Sequence, residues 1–551
     1  MTTPQQAAKR GSLESLVAAL RDPSAYAHPV GQVDVIETHI SFVLLAGAYA
    51  YKLKKPVSLG FVDFSTLERR RHFCHEEVRI NRRLAPGLYL DVVSLVERNG
   101  MIRVQSQDQD QSNSDGLLDH GVRMRRFPRH AVLTETPVDR GIVDRLAQQI
   151  AAFHLGLPPA APASPFGGPD QVLAPMLANV RVLRQSPLDT NSQRRVDQIA
   201  HWTRQRWRAL EPLLAARKTE GWIRECHGDL HRGNIALLDG EPTIFDALEF
   251  NPELRWIDCV SDLAFLAMDL REIGATALER RLINAYLERT GDYAGLRLLA
   301  FYQVYRAMVR AKVSGIRLGQ LEHGHPDAAA DQAQAQAQLD CYLRLAEDYT
   351  QVHQPRLLIT HGLSGSGKTW LGHALRERVP VIQIRSDVER KRLFATERNT
   401  QNAADLYGKH ASQQTYQRLL ELAEQILLSG YGVFVDAAFL RAEQRDWFRA
   451  LAHKHDCDFA ILALKAPPAV LKARVQSRLR RGNDASDADT VILARQQEKH
   501  DPLSPEENRA AIQLDTESPA QIAAFLRRMT QESDSHPPAR PPAPSSQNAA
   551  S

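Results

Sequence analysis

The sequence predicts two folded units of different class in tandem: an α+β unit over residues 1–350 and an α/β unit with a parallel sheet over residues 355–530, ahead of a disordered tail at 531–551. Three observations predict this. A chain of 551 residues is too long for a single core. Its first part opens on hairpin-like apolar runs and then turns predominantly helical. From residue 356 short apolar runs alternate with helix-like segments, as a parallel sheet requires.

Taken in order, IETHISFVLLAGAYAYKLKKPVSLG at 36–60 reads as two strands about a turn near Gly47, because β-formers flank a residue that tolerates positive φ. TLERRRHFCHEEVRINRRLAP then sets Cys74, Glu77, Ile80 and Leu84 on one helical face, and Pro86 ends the run. Polar QSQDQDQSNSD at 105–115 is a loop insertion, and VRMRRFP at 122–128 is a strand leaving the sheet. A helix over 140–156 follows, then a turn-rich break at 158–169 and helices over 173–218 interrupted near Pro187. Short strands flank HGDLHRGN at 227–234, and helices resume from 258 to about 348, interrupted by HGHPDAAADQAQAQAQ. After RLLITHG at 356–362, VPVIQIRSD, YGVFVDAAF and DFAILALKAP supply further buried strands. The Pro- and Ser-rich tail cannot bury enough apolar surface to offset its ordering entropy.

Bulk composition narrows the functional classes. A hydrophobic share of 43% and a charged share of 24% are those of a globular protein. A formal charge of +4, from 69 basic and 65 acidic residues, gives no support to a nucleic-acid-wrapping protein. Five scattered cysteines without a CxxC pair argue against a disulfide framework or zinc site and for reduced, cytoplasmic thiols. The N-terminus lacks the apolar core of a secretory signal, and SFVLLAGAYAY at 41–51 is too short to span a membrane. No membrane or nucleic-acid partner is expected.

The octet HGDLHRGN carries the first chemistry. Phosphoryl transfer to an alcohol needs a carboxylate near the hydroxyl and oxygen ligands that hold magnesium against nucleotide phosphates. Asp229 would accept or orient the hydroxyl proton. Asn234 would offer a neutral oxygen to the metal, and Asp246, in IFDALEF after a second apolar strand, a charged one. Upstream, Lys52 shares a strand face with Ala50 and can point at phosphates. Glu77, on the inward helical stripe, is its natural partner, since an unpaired carboxylate there would be costly to bury. His227 and His231 could ligate a transition metal, but no third ligand lies at zinc-like spacing. Asp258 and Asp262 read as a helix start and a buried brace.

Over residues 30–350 these features resemble the aminoglycoside phosphotransferase and choline kinase-like branch of the bilobal protein-kinase-like fold. The resemblance implies ATP-dependent phosphorylation of a small-molecule hydroxyl, with Asp229 as catalytic base, Asn234 and Asp246 on magnesium and Lys52 on the phosphates; His227 then braces the loop. The departure is that no GxGxxG covers the nucleotide, Gly47 alone marking that turn.

GLSGSGKT, residues 362–369, matches the phosphate-binding pattern GxxxxGK[ST] between a strand and a helix. Gly362, Gly365 and Gly367 shape the loop. Backbone N–H groups from Ser364 through Ser366 to Lys368 would cradle phosphates, Lys368 would reach the β and γ oxygens, and Thr369 would hold magnesium. Asp387 at the end of the second strand, with Arg390 one helical turn on, resembles the D-x-x-R element of polynucleotide kinase-like, zeta-toxin-like and gluconate kinase-like P-loop kinases, which implies that Asp387 meets the acceptor hydroxyl. Asp436 after the next strand would be a metal-shell residue. Arg385 and Arg390 suit an anionic acceptor or pair with nearby acids; of Arg474, Arg478, Arg480 and Arg481, clustered near an expected mobile lid, one or two could neutralise charge during transfer and the others read as a solvated helix face. The whole chain resembles bacterial fusions of the two domain types. It is therefore expected to be a phosphotransferase with ATP and Mg2+ as cofactors and two nucleotide centres; the alternative is a regulatory ATP-binding protein in which one domain senses nucleotide without turnover.

Overall fold

The computed structural model describes residues 13–59, 62–106, 116–321, 328–351, 354–394, 408–481, 489–498 and 500–535. By its contacts the chain divides into two compact units. One comprises the chain up to Pro175 together with Glu211–Asp269; the other comprises Met176–Leu210 and the chain from Leu270 onward.

The first unit is built on a six-stranded sheet, β1 (Val33–Glu37), β2 (Ser41–Ala46), β3 (Tyr49–Lys54), β4 (Tyr89–Arg98), β5 (Met101–Ser106) and β6 (Leu117–Arg125), in the order β1-β2-β3-β6-β4-β5. Every pairing in it is antiparallel. The hairpin expected near Gly47 is β2–β3, and Gly47 sits at φ +57°. Helix α1 (Leu67–Asn81) lies on this sheet, burying Cys74 and Val78 against Tyr89, Val92 and Val122. Thr66 caps its first turn by accepting the Arg69 N–H. Leu84, expected on the same stripe, falls beyond the helix end and is only half-buried. The polar insertion lies mostly outside the described residues, and its first two residues belong to β5.

Helix α2 (Arg140–Gly156) matches the expected bounds, and α3 (Pro169–Gln185) and α4 (Thr190–Thr219) flank the break at Pro187. Three short elements then carry the octet: β7 (Ile223–Glu225) and the hairpin β8 (Ile235–Leu238)–β9 (Glu241–Ile244). Strand β10 (Trp256–Asp258) pairs with β7 and leads into α5 (Cys259–Glu272).

In the second unit, α6 (Thr276–Thr290), α7 (Leu296–Leu321) and α8 (Ala328–Thr350) precede a five-stranded parallel sheet. Its strands are β11 (Arg356–His361), β12 (Val381–Arg385), β13 (Gly432–Asp436), β14 (Asp458–Lys465) and β15 (Ile512–Asp515), in the order β12-β13-β11-β14-β15. Four strands were expected; β15 is an addition. The intervening helices are α9 (Lys368–Arg376), α10 (Ser386–Phe394), α11 (Lys409–Leu428), α12 (Ala442–Lys454), α13 (Pro468–Arg481), α14 (Thr490–Glu498) and α15 (Pro505–Ala510), with α16 (Pro519–Ser535) after β15. Helix α16 runs into the stretch expected as tail, because Phe525, Leu526 and Met529 complete the core over β11 and β14; residues 536–551 lie outside the described ones.

The edge strand β12 is covered by α6. The Asn284 side chain accepts the Gln383 N–H at 2.8 Å and donates to the Val381 carbonyl at 3.2 Å, standing in for a neighbouring strand. One turn on, Glu288 pairs with Arg385 at 3.0 Å and Arg376 at 3.7 Å. Among the described residues no helix is long and apolar enough to cross a membrane, and all five cysteines are free thiols.

Candidate functional site

The octet folds as a turn held from beneath. Gly228 adopts φ +86°, where a Cβ would stand 2.7 Å from the Leu254 carbonyl oxygen, so glycine is required there. Asp262, on α5 and fully buried, accepts the N–H groups of His227 at 3.0 Å and Gly228 at 2.9 Å. Its second role is beside His154, whose Nε2 is 3.2 Å away. Asp258 caps Val260 N–H at the start of the same helix. His227 donates from Nε2 to the Phe245 carbonyl at 2.9 Å and accepts the Asp229 N–H on Nδ1 at 3.3 Å. Burial holds this imidazole below the usual histidine range, against the opposing charges of Asp262, Asp229 and Asp246. It is a neutral brace tying the octet to β9. His231 accepts the Gly233 N–H on Nδ1 at 3.0 Å, and its Nε2 lies 3.3 Å from Asp229 Oδ2.

Asn234 and Asp229 meet directly: the Asn234 amide donates to the Asp229 carbonyl at 2.9 Å and to Oδ2 at 3.0 Å. That commits the NH2 group and leaves the amide oxygen as the atom a cation would take. The β8–β9 hairpin, with Ile235 opposite Ile244, sets Asn234 across from Phe245, and Asp246 follows one residue later. Asp246 itself adopts φ +61°, its N–H donates to the Tyr89 hydroxyl at 3.0 Å, and the next N–H, of Ala247, donates to Asn81 Oδ1 at 2.8 Å.

From the sheet, Lys52 reaches Asp246 Oδ1 at 2.7 Å and Glu77 Oε1 at 2.8 Å. Burial alone would favour the neutral amine, but Asp246, Glu77 and Glu249 outweigh it and keep Lys52 charged. Glu77 is pulled down to about 2: burial raises it, and Lys52 and Lys54 more than reverse that. The structure thus brings Lys52, Glu77 and Asp246 together, and Asp229 with Asn234, all within the first unit. Sequence reasoning missed Lys54 and Glu249. Lys54 is fully buried, 2.7 Å from Glu77 Oε2, and also pairs with Glu249. Two lysines at strand period and the second acid in IFDALEF were the available signals.

The Asp246 carboxylate and the Asn234 amide oxygen, both hard oxygen donors, suit a divalent cation of the magnesium type better than a transition metal, and the Lys52 ammonium suits phosphates beside it.

In the second unit, β11 runs into the glycine loop. Gly365 and Gly367 take φ +85° and +93°, and a Cβ on Gly365 would stand 2.7 Å from the Leu471 carbonyl oxygen, so α13 presses on the loop. Thr369 donates to Asp436 Oδ2 at 2.7 Å, and Gln383 donates to the same oxygen at 3.2 Å. Burial raises the Asp436 carboxyl, with Arg385 and Lys368 opposing. Asp436 is the last residue of β13, while Asp387 lies in the first turn of α10 rather than at the strand end, paired with Arg390 at 2.9 Å. Arg385 and Arg390 are therefore both engaged by acids. Lys368 is turned onto its own loop, donating to the carbonyls of Gly362 at 3.0 Å and Leu363 at 2.8 Å; burial lowers it. Ser364 N–H, one of the expected phosphate donors, donates to Gln496 Oε1 on α14 at 2.9 Å. Of the arginine cluster, Arg474 touches the loop, donating to the Gly365 carbonyl at 3.3 Å and Thr516 Oγ1 at 2.9 Å. A cavity of about 520 Å³ opens beside Gly362 and Leu363, lined also by His361, Leu440 and His500.

Two family models match the chain. The model of the phosphotransferase enzyme family matches residues 65–299, and that of an AAA domain matches residues 357–503. An uncharacterized protein of Mycobacterium tuberculosis strain H37Rv is 32% identical over 488 residues, 86% of this chain and 93% of the relative. One from Mycobacterium bovis is equally similar, with the same identity of 32% and the same coverage. Among solved structures, a choline/ethanolamine kinase family protein from Mesorhizobium loti is 14% identical at a TM-score of 0.35, covering 61% of this chain and 99% of that one. A gluconokinase from Sinorhizobium meliloti is 21% identical at a TM-score of 0.23, covering 33% of this chain and 99% of that one. Both parts are kinase-type, ATP-using domains. The chain belongs to the family of bacterial proteins that join a phosphotransferase domain of protein-kinase-like fold to a P-loop kinase-like ATP-binding domain.

Proposed function

We propose that the chain is an ATP- and Mg2+-dependent phosphotransferase acting on a small-molecule hydroxyl, with its transfer centre in residues 1–350 and a second, P-loop centre in residues 355–530. The observation that carries the reading is the convergence of Lys52, Glu77 and Asp246 in the same unit as the Asp229–Asn234 pair. Asn234 and Asp246 would hold magnesium, which when bound would neutralise phosphate charge. Lys52, steadied by Glu77, binds the phosphates. Asp229 takes the proton of the acceptor hydroxyl as its oxygen bonds to the γ-phosphorus and the bond to the β-phosphate oxygen breaks, releasing ADP. In the P-loop centre, Lys368 would bind phosphates, Thr369 and Asp436 would hold the metal, and Asp387 would face the acceptor. A supply of ATP and five free thiols fit the cytoplasm.

One observation favours a second reading for the P-loop centre alone. Lys368 and Ser364 N–H are satisfied by the protein itself, as a nucleotide-sensing domain without turnover would allow. Labelled ATP with a library of candidate alcohols tests both. Asp229→Asn is expected to abolish transfer while Lys368-dependent ATP binding persists. Loss of both activities in a folded variant would refute independent centres, and tight binding with no transfer to any alcohol would leave a sensor.

A further inference from the structure

The first centre contains two buried charges that the transfer reaction does not use. Lys52 and Lys54 lie two residues apart on β3 and so share a face. Each holds one oxygen of Glu77, at 2.8 and 2.7 Å. Lys54 extends to Glu249, three residues beyond Asp246 on the segment after β9, while Asp246 returns to Lys52. The result is an alternating chain, Asp246–Lys52–Glu77–Lys54–Glu249, that links the sheet, helix α1 and the metal-site segment.

Its two ends differ. The Asp246 side chain is 44% exposed, whereas Lys54 and Glu249 are 0% and 4% exposed. Nucleotide and metal can reach Asp246 and Lys52, and engaging them breaks the ion pair between the two. Glu77 would then hold Lys52 alone, and the Lys54–Glu249 pair would be the remaining ion pair between the 246–249 segment and the sheet, beside the Asp246 N–H on the Tyr89 hydroxyl. Three carboxylates against two ammonium groups also leave one net negative charge, which favours a cation at the exposed end.

Resting on the phosphotransfer reading of this centre, we propose that Lys54 and Glu249 are positioning residues: a solvent-excluded anchor that holds Glu77 and the Asp246 segment in place while Lys52 and Asp246 turn to magnesium and phosphates. Lys54 acts through Glu77 and Glu249 through the segment, and neither touches the nucleotide. Burial raises the Glu249 carboxyl, in keeping with Lys54 as its indispensable counter-charge.

The test uses the full chain in a Lys368→Ala background, so that binding reports the first centre, with adenylyl imidodiphosphate and magnesium as the probe and thermal melting alongside. Lys54→Met/Glu249→Leu removes one charge of each sign and keeps the core apolar. It is expected to melt close to the parent yet to bind the probe about 10- to 100-fold more weakly, the range seen when outer supports of a metal site are lost. Parental affinity in that double variant overturns the proposal, because a purely structural pair would be replaced without consequence. Should the double variant melt far below the parent, Glu249→Gln, nearly isosteric, decides by the same criterion. A parent that binds no probe refutes the phosphotransfer reading itself.

Discussion

Replacing Asp262 by alanine should release the turn that presents Asp229. Asp262 is fully buried and accepts two backbone N–H groups, of His227 at 3.0 Å and Gly228 at 2.9 Å. Alanine leaves both without this acceptor. A buried donor stripped of its partner costs about 1–3 kcal/mol, so two cost about 2–6 kcal/mol, with about 4 kcal/mol as the central value. Asp262→Asn keeps one acceptor oxygen and should cost about half as much. Unfolding of a two-unit chain is not a single transition, so the local measurement is amide hydrogen exchange in the peptide spanning residues 223–235, followed by mass spectrometry. An opening about 4 kcal/mol easier corresponds to exchange about 10³-fold faster, accompanied by loss of transfer at the first centre. Unchanged protection of this peptide in Asp262→Ala would refute the assignment of Asp262 as the brace of the octet.

Gly228→Ala forces a side chain into the left-handed region and to 2.7 Å from the Leu254 carbonyl oxygen; local opening of the 223–235 peptide easier by at least about 1–2 kcal/mol in hydrogen exchange, with loss of transfer activity, is expected. Gln496→Ala frees Ser364 N–H, and in a Lys52→Met background ATP affinity of the P-loop centre should rise about 2- to 10-fold by calorimetry. Glu507 is bound by Arg445 at 2.8 Å and by Ser504 N–H at 2.9 Å; burial would raise its carboxyl, but these hydrogen bonds and the Arg445 charge hold it down to about 2, from an ordinary 4.5. A depressed carboxylate stabilises the fold above its unfolded value and loses that contribution as pH falls through its folded one. Glu507→Gln should therefore be less stable by about 3 kcal/mol at pH 7. Its melting temperature should converge on that of the parent between pH 4.5 and pH 2.

What the sequence made legible is what is local. Helical and strand periodicity placed Glu77 inward on α1 and Lys52 on the sheet, and the octet with its following acid singled out Asp229, Asn234 and Asp246 as candidates because they lie within twenty residues of one another. Lys54 and Glu249 escaped notice because they meet across 195 positions, a pairing no periodicity encodes. Strand β15 is four residues long with a polar residue at every second position, too short to rise above its surroundings. The polar residues after Met529 hid the continuation of α16 into the expected tail, since packing rather than composition holds that helix. Asp387 was assigned to a strand end, whereas Ser386 already begins a helix.

The amide of Asn284 has a practical consequence for dissecting the protein. A fragment cut to begin near residue 355 would contain all five parallel strands yet bare the outer rim of β12, leaving Val381 and Gln383 as an open template for strand addition by a second molecule. Self-association of such a fragment, and its relief when the cut is moved ahead of α6, would mark where this polypeptide can be divided.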